Sequence, residues 1–226
     1  MRLGPGGGVE QRVRLSTLFA HAVPDTRLDE MEEILGRSGQ RSRAYAVASD
    51  LFHVNTVEAL DRDLAVARRG DILLCVRELD LVAIVDPERN AVVWSWGPGE
   101  LDRPHHPSVL PNGNLLIFDN GKRRGWSRVI EVEPATGTIV WEYRGDPPET
   151  FFSPARGSAQ ALPNGNVLVT ESARGRVFEV TRDGSIVWTF LNPDFASKGR
   201  RQIYRMYRVP LERYAAWAGS AHDSAP

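Results

Sequence analysis

Five side chains suited to polar chemistry stand out in this 226-residue chain: His53, Asn55, Arg77 and the pair His105-His106. A neutral imidazole serves as nucleophile, base or acid near pH 7, and a guanidinium holds an anion. His53 and Asn55 are two apart in FHVNTVEAL, and on a strand residues i and i+2 share a face. Arg77 ends the apolar run ILLCV, where a long cation wants an anion or a carboxylate partner. Plainer readings stand beside these. A strand histidine is commonly a hydrogen-bonded structural residue, and Arg77 has Glu78 and Asp80 close by in the chain. A site exists only if the fold joins positions fifty-two residues apart, His53 and His105.

The repeats supply such a fold. Trp94, Trp141 and Trp188 are spaced forty-seven residues apart, closing the runs AVVWSW, TIVWEY and SIVWTF. A period of roughly 40–50 residues built from short strands marks a β-propeller blade. Each copy has room for four strands, with hairpin turns at Asn112-Gly113, Thr136-Gly137, Asn164-Gly165 and Asp183-Gly184. The tryptophans are read as structural, stacking each blade on the next, and LPNGN as turn sequence only. The innermost strand of a blade lines the central channel. That places His53, Asn55 and His105 at one channel mouth, with Gly157 leaving space beside them. On the second strands, Asn120 and Ser172 take the position of Arg77.

The expected fold class is all-β: a partial β-propeller of three to four four-stranded blades, preceded by a short helix over residues 26–37 (TRLDEMEEILGR). The chain divides into an N-terminal segment (1–50, with a disordered Gly-rich start over 1–12), the blades (51–210) and a tail (211–226). Residues 202–209, QIYRMYRV, are expected to form one more strand. Three blades are too few to close a ring and hide its edges. Either residues 1–50 hold degenerate strands, or a second copy completes the ring as a homo-oligomer, or the chain is part of a longer protein. The last is favoured.

Composition excludes several classes. A net charge of −1 gives no global field for nucleic acid or a membrane surface, and the basic stretch 198–208 is read as a solvated strand edge. One cysteine, Cys75, rules out an intrachain disulfide. There is no P-loop, no dinucleotide fingerprint and no zinc-spaced pair, and Ser153 and Ser158 lack a nucleophile-elbow context. No metal and no cofactor are therefore expected. His21 and His222 have no partners in the pattern. The N-terminus lacks an uninterrupted apolar stretch after its early charge, so no secretion signal or membrane span is expected, and the chain as written has a cytoplasmic address.

Taken in order, HVN at 53, GDILLCVRELDLVAIVDP, HHPSVLPNGNLLIFDNG, SRVIEVEPATGTIVWEYRGDPP, FFSPARGSAQALPNGNVLVTES and GRVFEVTRDGSIVWTFLNP resemble the bacterial arylsulfotransferase family over residues 51–210. EPATGTIVW alone also occurs in quinoprotein propellers, which keeps a quinone-dependent dehydrogenase as a weaker alternative. The resemblance implies a six-bladed propeller that moves a sulfuryl group from a phenolic sulfate to a phenol, through a sulfated histidine and without a nucleotide donor. His105 matches the nucleophile of that family. The family usually has Asp or another small polar residue next; here His106 follows, so which imidazole acts stays open. His53 and Asn55 match the family's H-x-N pair and Arg77 its sulfate-binding arginine, while His106, Asn120 and Arg156 are candidate substrate contacts. Arg77 and neutral donors from Asn55 and His53 suit charge spread over sulfuryl oxygens, and His53 can protonate a departing phenolate. Family members usually carry more blades upstream, a further active-site histidine and an export signal. None of these is seen in this sequence, and the resemblance implies a periplasmic or secreted address if the N-terminus is truncated. The implied partners are small phenolic sulfates and phenols. The alternative is a non-catalytic propeller that binds an anionic or aromatic ligand or a protein.

Overall fold

The computed structural model describes residues 2–3, 5–19, 22, 50–197 and 199–214. A small hairpin, β1 (Arg2–Leu3) with β2 (Val9–Gln11), and the short helix α1 (Leu15–Phe19) come first. Blade one then runs β3 (Val54–Ala59), β4 (Ile72–Val76), β5 (Leu81–Asp86) and β6 (Ala91–Trp96). Blade two is β7 (His105–Val109), β8 (Leu115–Asp119), β9 (Arg128–Glu133) and β10 (Thr138–Arg144). Blade three is β11 (Ser158–Ala161), β12 (Val167–Glu171), β13 (Arg176–Val180) and β14 (Ile186–Leu191). Each blade is an antiparallel meander of four strands in chain order, and together they form a partial β-propeller.

The middle strands β4, β5 and β8 are apolar at nearly every position because both their faces are buried. Leu73, Cys75, Val82 and Ile84 of blade one pack on Leu115, Ile117, Ile130 and Val132 of blade two. The alternate residues Leu74, Val76, Leu81 and Ala83 face the other way, onto Leu18 and Phe19 of α1. Blades two and three meet at Phe118, Phe151 and Phe178, where the ring of Phe151 lies 5.6 Å from each neighbour in an edge-to-face contact. On the far side of blade three, Leu168 and Val177 are covered by Ile203 and Met206. The order through the molecule is α1, three blades, then the C-terminal segment.

The tryptophan repeat links neighbours. Trp94 Nε1 donates to the carbonyl of Pro134 (2.9 Å) and Trp141 Nε1 to that of Arg182 (2.8 Å), each in the following blade. Trp188 has no following blade among the described residues and is 40% exposed. The LPNGN segments do more than turn. Asn112 and Asn114 both donate to Glu131, and Asn164 and Asn166 both donate to Glu179. Arg182, from blade three, pairs with Glu131 and lies over the Trp141 ring at 4.3 Å. Arg208 pairs with Glu179 and lies over Trp188 at 5.5 Å, so the C-terminal segment repeats the contact a next blade would make. Hydrogen bonds from Asn166, Asn164 and Arg208 hold the Glu179 carboxyl down to about 2.

Two expectations change. Residues 202–209 are not a strand. Their partly buried apolar members, Ile203 and Met206, are three apart rather than two, and the Gln160 side chain brackets the backbone of Arg208, donating to its carbonyl (3.0 Å) and accepting from its amide (2.8 Å). A two-residue hairpin, β15 (Phe195–Ala196) with β16 (Gly199–Arg200), precedes them. Part of the Gly-rich start forms the β1–β2 hairpin, which Gln11 ties to the carbonyl of Pro87. The helix expected over 26–37 lies outside the described residues, as does the tail beyond 214.

If the tryptophans lock blade to blade, Trp141→Ala removes a ring packed between blades and costs about 3 kcal/mol, whereas Trp188→Ala costs about 1 kcal/mol. Urea unfolding of the two variants measures the difference, and equal losses would contradict the locking role.

Candidate active site

The candidate residues gather where the inner strands begin. β7 opens at His105 and carries a bulge: His105 faces Phe118, and pairing resumes only at Ser108 opposite Leu116. β3 has its own bulge at Asn55, between Val54 opposite Val76 and Thr56 opposite Cys75. Bulges re-aim side chains away from strict alternation. His106 takes a φ of 50° inside one such bulge, and His53 a φ of 44° just before β3. The face-sharing expected of His53 and Asn55 therefore does not follow from alternation, because His53 precedes the strand.

His105 is 7% exposed, and its Nδ1 lies 2.6 Å from Asn120 Oδ1 and 3.2 Å from the carbonyl of Arg103. Asn120 is fully buried, and its Nδ2 donates to the carbonyls of Ser153 and Arg156, both at 2.6 Å. With the amide nitrogen committed to two carbonyls, the oxygen must face His105 and accept. Nδ1 therefore carries the proton and Nε2 keeps its lone pair. Burial pushes the His105 pKa down to about 4, helped by the nearby charges of Arg77 and His53 and opposed by Asn120 and the Arg103 carbonyl. The ring is neutral at pH 7 and presents a fixed tautomer.

The surroundings brace this ring. The carbonyl of Pro104, immediately before His105, accepts from Asn55 Nδ2 (2.9 Å) and from the Cys75 thiol (3.2 Å). Burial drives the Cys75 pKa far up, so its sulfur stays protonated. Arg77 donates to Glu78 at 2.5 Å, and Arg103 pairs with the same carboxylate. The Nδ1 of His53 sits 2.6 Å from Asp50 Oδ2, on a half-exposed edge.

Two expected contacts fall elsewhere. Gly157 does not leave space: at φ +114° its missing Cβ would meet the Phe118 ring at 2.6 Å, so glycine is there for close approach. Arg156 directs its guanidinium away, to Gln202 and toward the Tyr204 ring, and enters the site through its carbonyl alone. His106 is also buried, its pKa pushed down to about 4 by burial and by the charge of Arg205. Its Nε2 lies 3.0 Å from the Tyr207 hydroxyl. Asp50, Arg103, Arg205 and Tyr207 were missed in sequence. Asp50, three residues before His53, was the one with a local signal.

The sequence profile of the arylsulfotransferase (ASST) family matches residues 20–193. The chain belongs to that family. No curated protein matches it. Among solved structures, this arylsulfotransferase-family chain is similar to a protein of unknown function from Bacteroides caccae (19% identity, TM-score 0.47, covering 66% of this chain and 51% of that one). It is also similar to the WD40 β-propeller domain of Doa1 (17% identity, TM-score 0.46, 65% and 45%). A third is virginiamycin B lyase from Staphylococcus aureus (16%, 0.43, 62% and 41%). The chain spans about half or less of the length of these proteins. No helix among the described residues is long and apolar enough to cross a membrane.

Nitrogen-15 NMR tests the tautomer. The His105 ring is expected to hold its proton on Nδ1 at neutral pH and to titrate near 4 rather than at 6.5. Asn120→Leu removes the acceptor and should shift population toward the Nε2–H form. An unperturbed midpoint or an unchanged tautomer in the variant would contradict the geometry.

Proposed function

We propose that this chain carries the sulfuryl-transfer centre of an arylsulfate sulfotransferase, with His105 as the carrier between a phenolic sulfate and a phenol. The observation behind this reading is the Asn120 amide, which leaves a neutral His105 with its lone pair on Nε2. Nε2 attacks the ester sulfur, the bond from sulfur to the aryl oxygen breaks, and the phenolate departs. As the N–S bond forms, the ring gains positive charge, which the Nδ1–H bond to Asn120 Oδ1 stabilises. Arg77, backed by Arg103 on Glu78, balances the charge on the sulfuryl oxygens, and the second N–H of Asn55 is suited to the same task. His53, oriented by Asp50, supplies a proton to the leaving oxygen. In the second half-reaction a phenol oxygen attacks sulfur as its proton passes to a neighbouring imidazole, the N–S bond breaks, and the lone pair returns to Nε2. Family membership supports the reaction class, and the step through His105 is our reading.

The test is 4-nitrophenyl sulfate with phenol as acceptor. His105→Ala should lower nitrophenol release at least about 10³-fold, and Asn120→Leu about 10²-fold through the wrong tautomer. His53→Ala should matter little with nitrophenolate, a leaving group that needs no proton, and about 10²-fold with unsubstituted phenyl sulfate. Because the neutral imidazole is the active form, the acid limb of the pH profile should fall near 4. No release by the wild type, or equal release by His105→Ala, rejects the reading. Thermal stabilisation by aryl sulfates without turnover would favour the ligand-binding propeller instead.

A further inference from the structure

We propose that His106 and Arg205 form a binding site for the hydroxyl of a small phenol, and that the chain's own Tyr207 occupies it in this structure. The Tyr207 hydroxyl lies 3.0 Å from His106 Nε2 and receives a hydrogen bond of 2.9 Å from Arg205 NH1, with the two rings edge-to-face at 5.8 Å. A guanidinium only donates, so Arg205 takes a lone pair of the phenol oxygen and leaves the phenol proton for the imidazole. A base on the proton and a cation on the oxygen are what turns a phenol toward phenolate. Burial keeps His106 neutral, and therefore able to accept.

The place has room for more than one side chain. A cavity of about 320 Å³ runs along the inner strands from His106 and Tyr207, walled by Val109 and Ala159 with Glu58, Ser108 and Gln160 as polar members. That is at the lower end of small-ligand sites and fits a single substituted ring. Tyr207 itself is loosely held. It is 51% exposed, while the segment around it is pinned by Met206 N to Thr170 Oγ1 (3.2 Å) and by the Gln160 bracket on Arg208. Its ring can turn out into solvent without disturbing Ile203 or Met206 in the core.

His106 directly follows His105, so a phenol bound here is one residue from the proposed carrier. The role as acceptor site rests on that transfer reading, but the binding itself does not. During transfer the acceptor's O–H proton passes to His106 Nε2, its oxygen bonds to sulfur, and the N–S electron pair returns to His105. Tyr207 must first give up its place. A resident that fills a site most of the time weakens apparent affinity by the fraction of time the site is free.

Titration of the full chain with phenol, followed calorimetrically and by the His106 ring resonances, tests this. Tyr207→Ala should bind phenol about five- to tenfold more tightly than wild type. Tyr207→Phe, which keeps the ring but not the hydroxyl, should also bind more tightly, by a smaller factor. Adding Arg205→Met to Tyr207→Ala should erase the gain. If neither Tyr207 variant tightens phenol binding, or if the gain survives loss of Arg205, the site is wrong. The nitrophenyl sulfate assay separates the two ideas: turnover without the phenol effect overturns this site alone. The phenol effect without turnover leaves the binding site standing and removes the transfer reading.

Discussion

The amide of Asn120 makes three hydrogen bonds, and exchanging its oxygen and nitrogen would set an oxygen against both carbonyls. Two go to carbonyls in the segment that leads into blade three, and one goes to His105 at the head of blade two. The same group thus joins neighbouring blades and sets which imidazole nitrogen holds a lone pair. It is fully buried, so water cannot replace a lost partner, and an unmet bond there costs about 1–3 kcal/mol. Stability and chemistry are enforced by one side chain.

That side chain is held by the way blades stack. Ser127 Oγ donates to the Asn120 carbonyl at 2.7 Å and accepts from the amide of Ser153 at 2.9 Å, so the two loops that flank the Asn120 amide are cross-tied. Phe151, two residues before Ser153, wedges its ring between Phe118 and Phe178 and fixes the height of this loop against both blades. Gly157 then lets the entering chain lie on Phe118, which a Cβ would prevent. The aromatic packing at the blade junction and the polar ties above it are two layers of one constraint.

Much of this was legible in sequence, and the reasons are physical. The forty-seven-residue tryptophan spacing exposed the blades because each ring must reach the same place on the next blade. Asn120 was found by matching strand ends, yet its role as a brace rather than a ligand contact depends on carbonyls whose direction no residue type reveals. The LPNGN turns read as turns because Asn-Gly favours positive φ, but their bonds to Glu131 and Glu179 join segments through the pleat of a whole blade. Tyr207 escaped notice because QIYRMYRV reads as a strand by its Ile, Tyr and Val content, while the residues that pack on blade three, Ile203 and Met206, are three apart. Alternation predicted faces poorly wherever a bulge intervened, at Asn55 and at His106.

The bulges matter for a further reason. In a regular strand His105 and His106 would point to opposite faces, one toward blade one and the other toward blade three. The extra residue in β7 and the positive φ at His106 release both rings from that rule. One imidazole is then gripped by Asn120 within the blade stack, and the other meets a phenol held on the C-terminal segment. Two adjacent residues of one type thereby acquire different partners. Both are made neutral by burial, yet their lone pairs are controlled by different parts of the chain. Asymmetry of that kind suits the proposed two-step transfer, in which one nitrogen would carry the group and another receive a proton. A regular β-strand could not provide it.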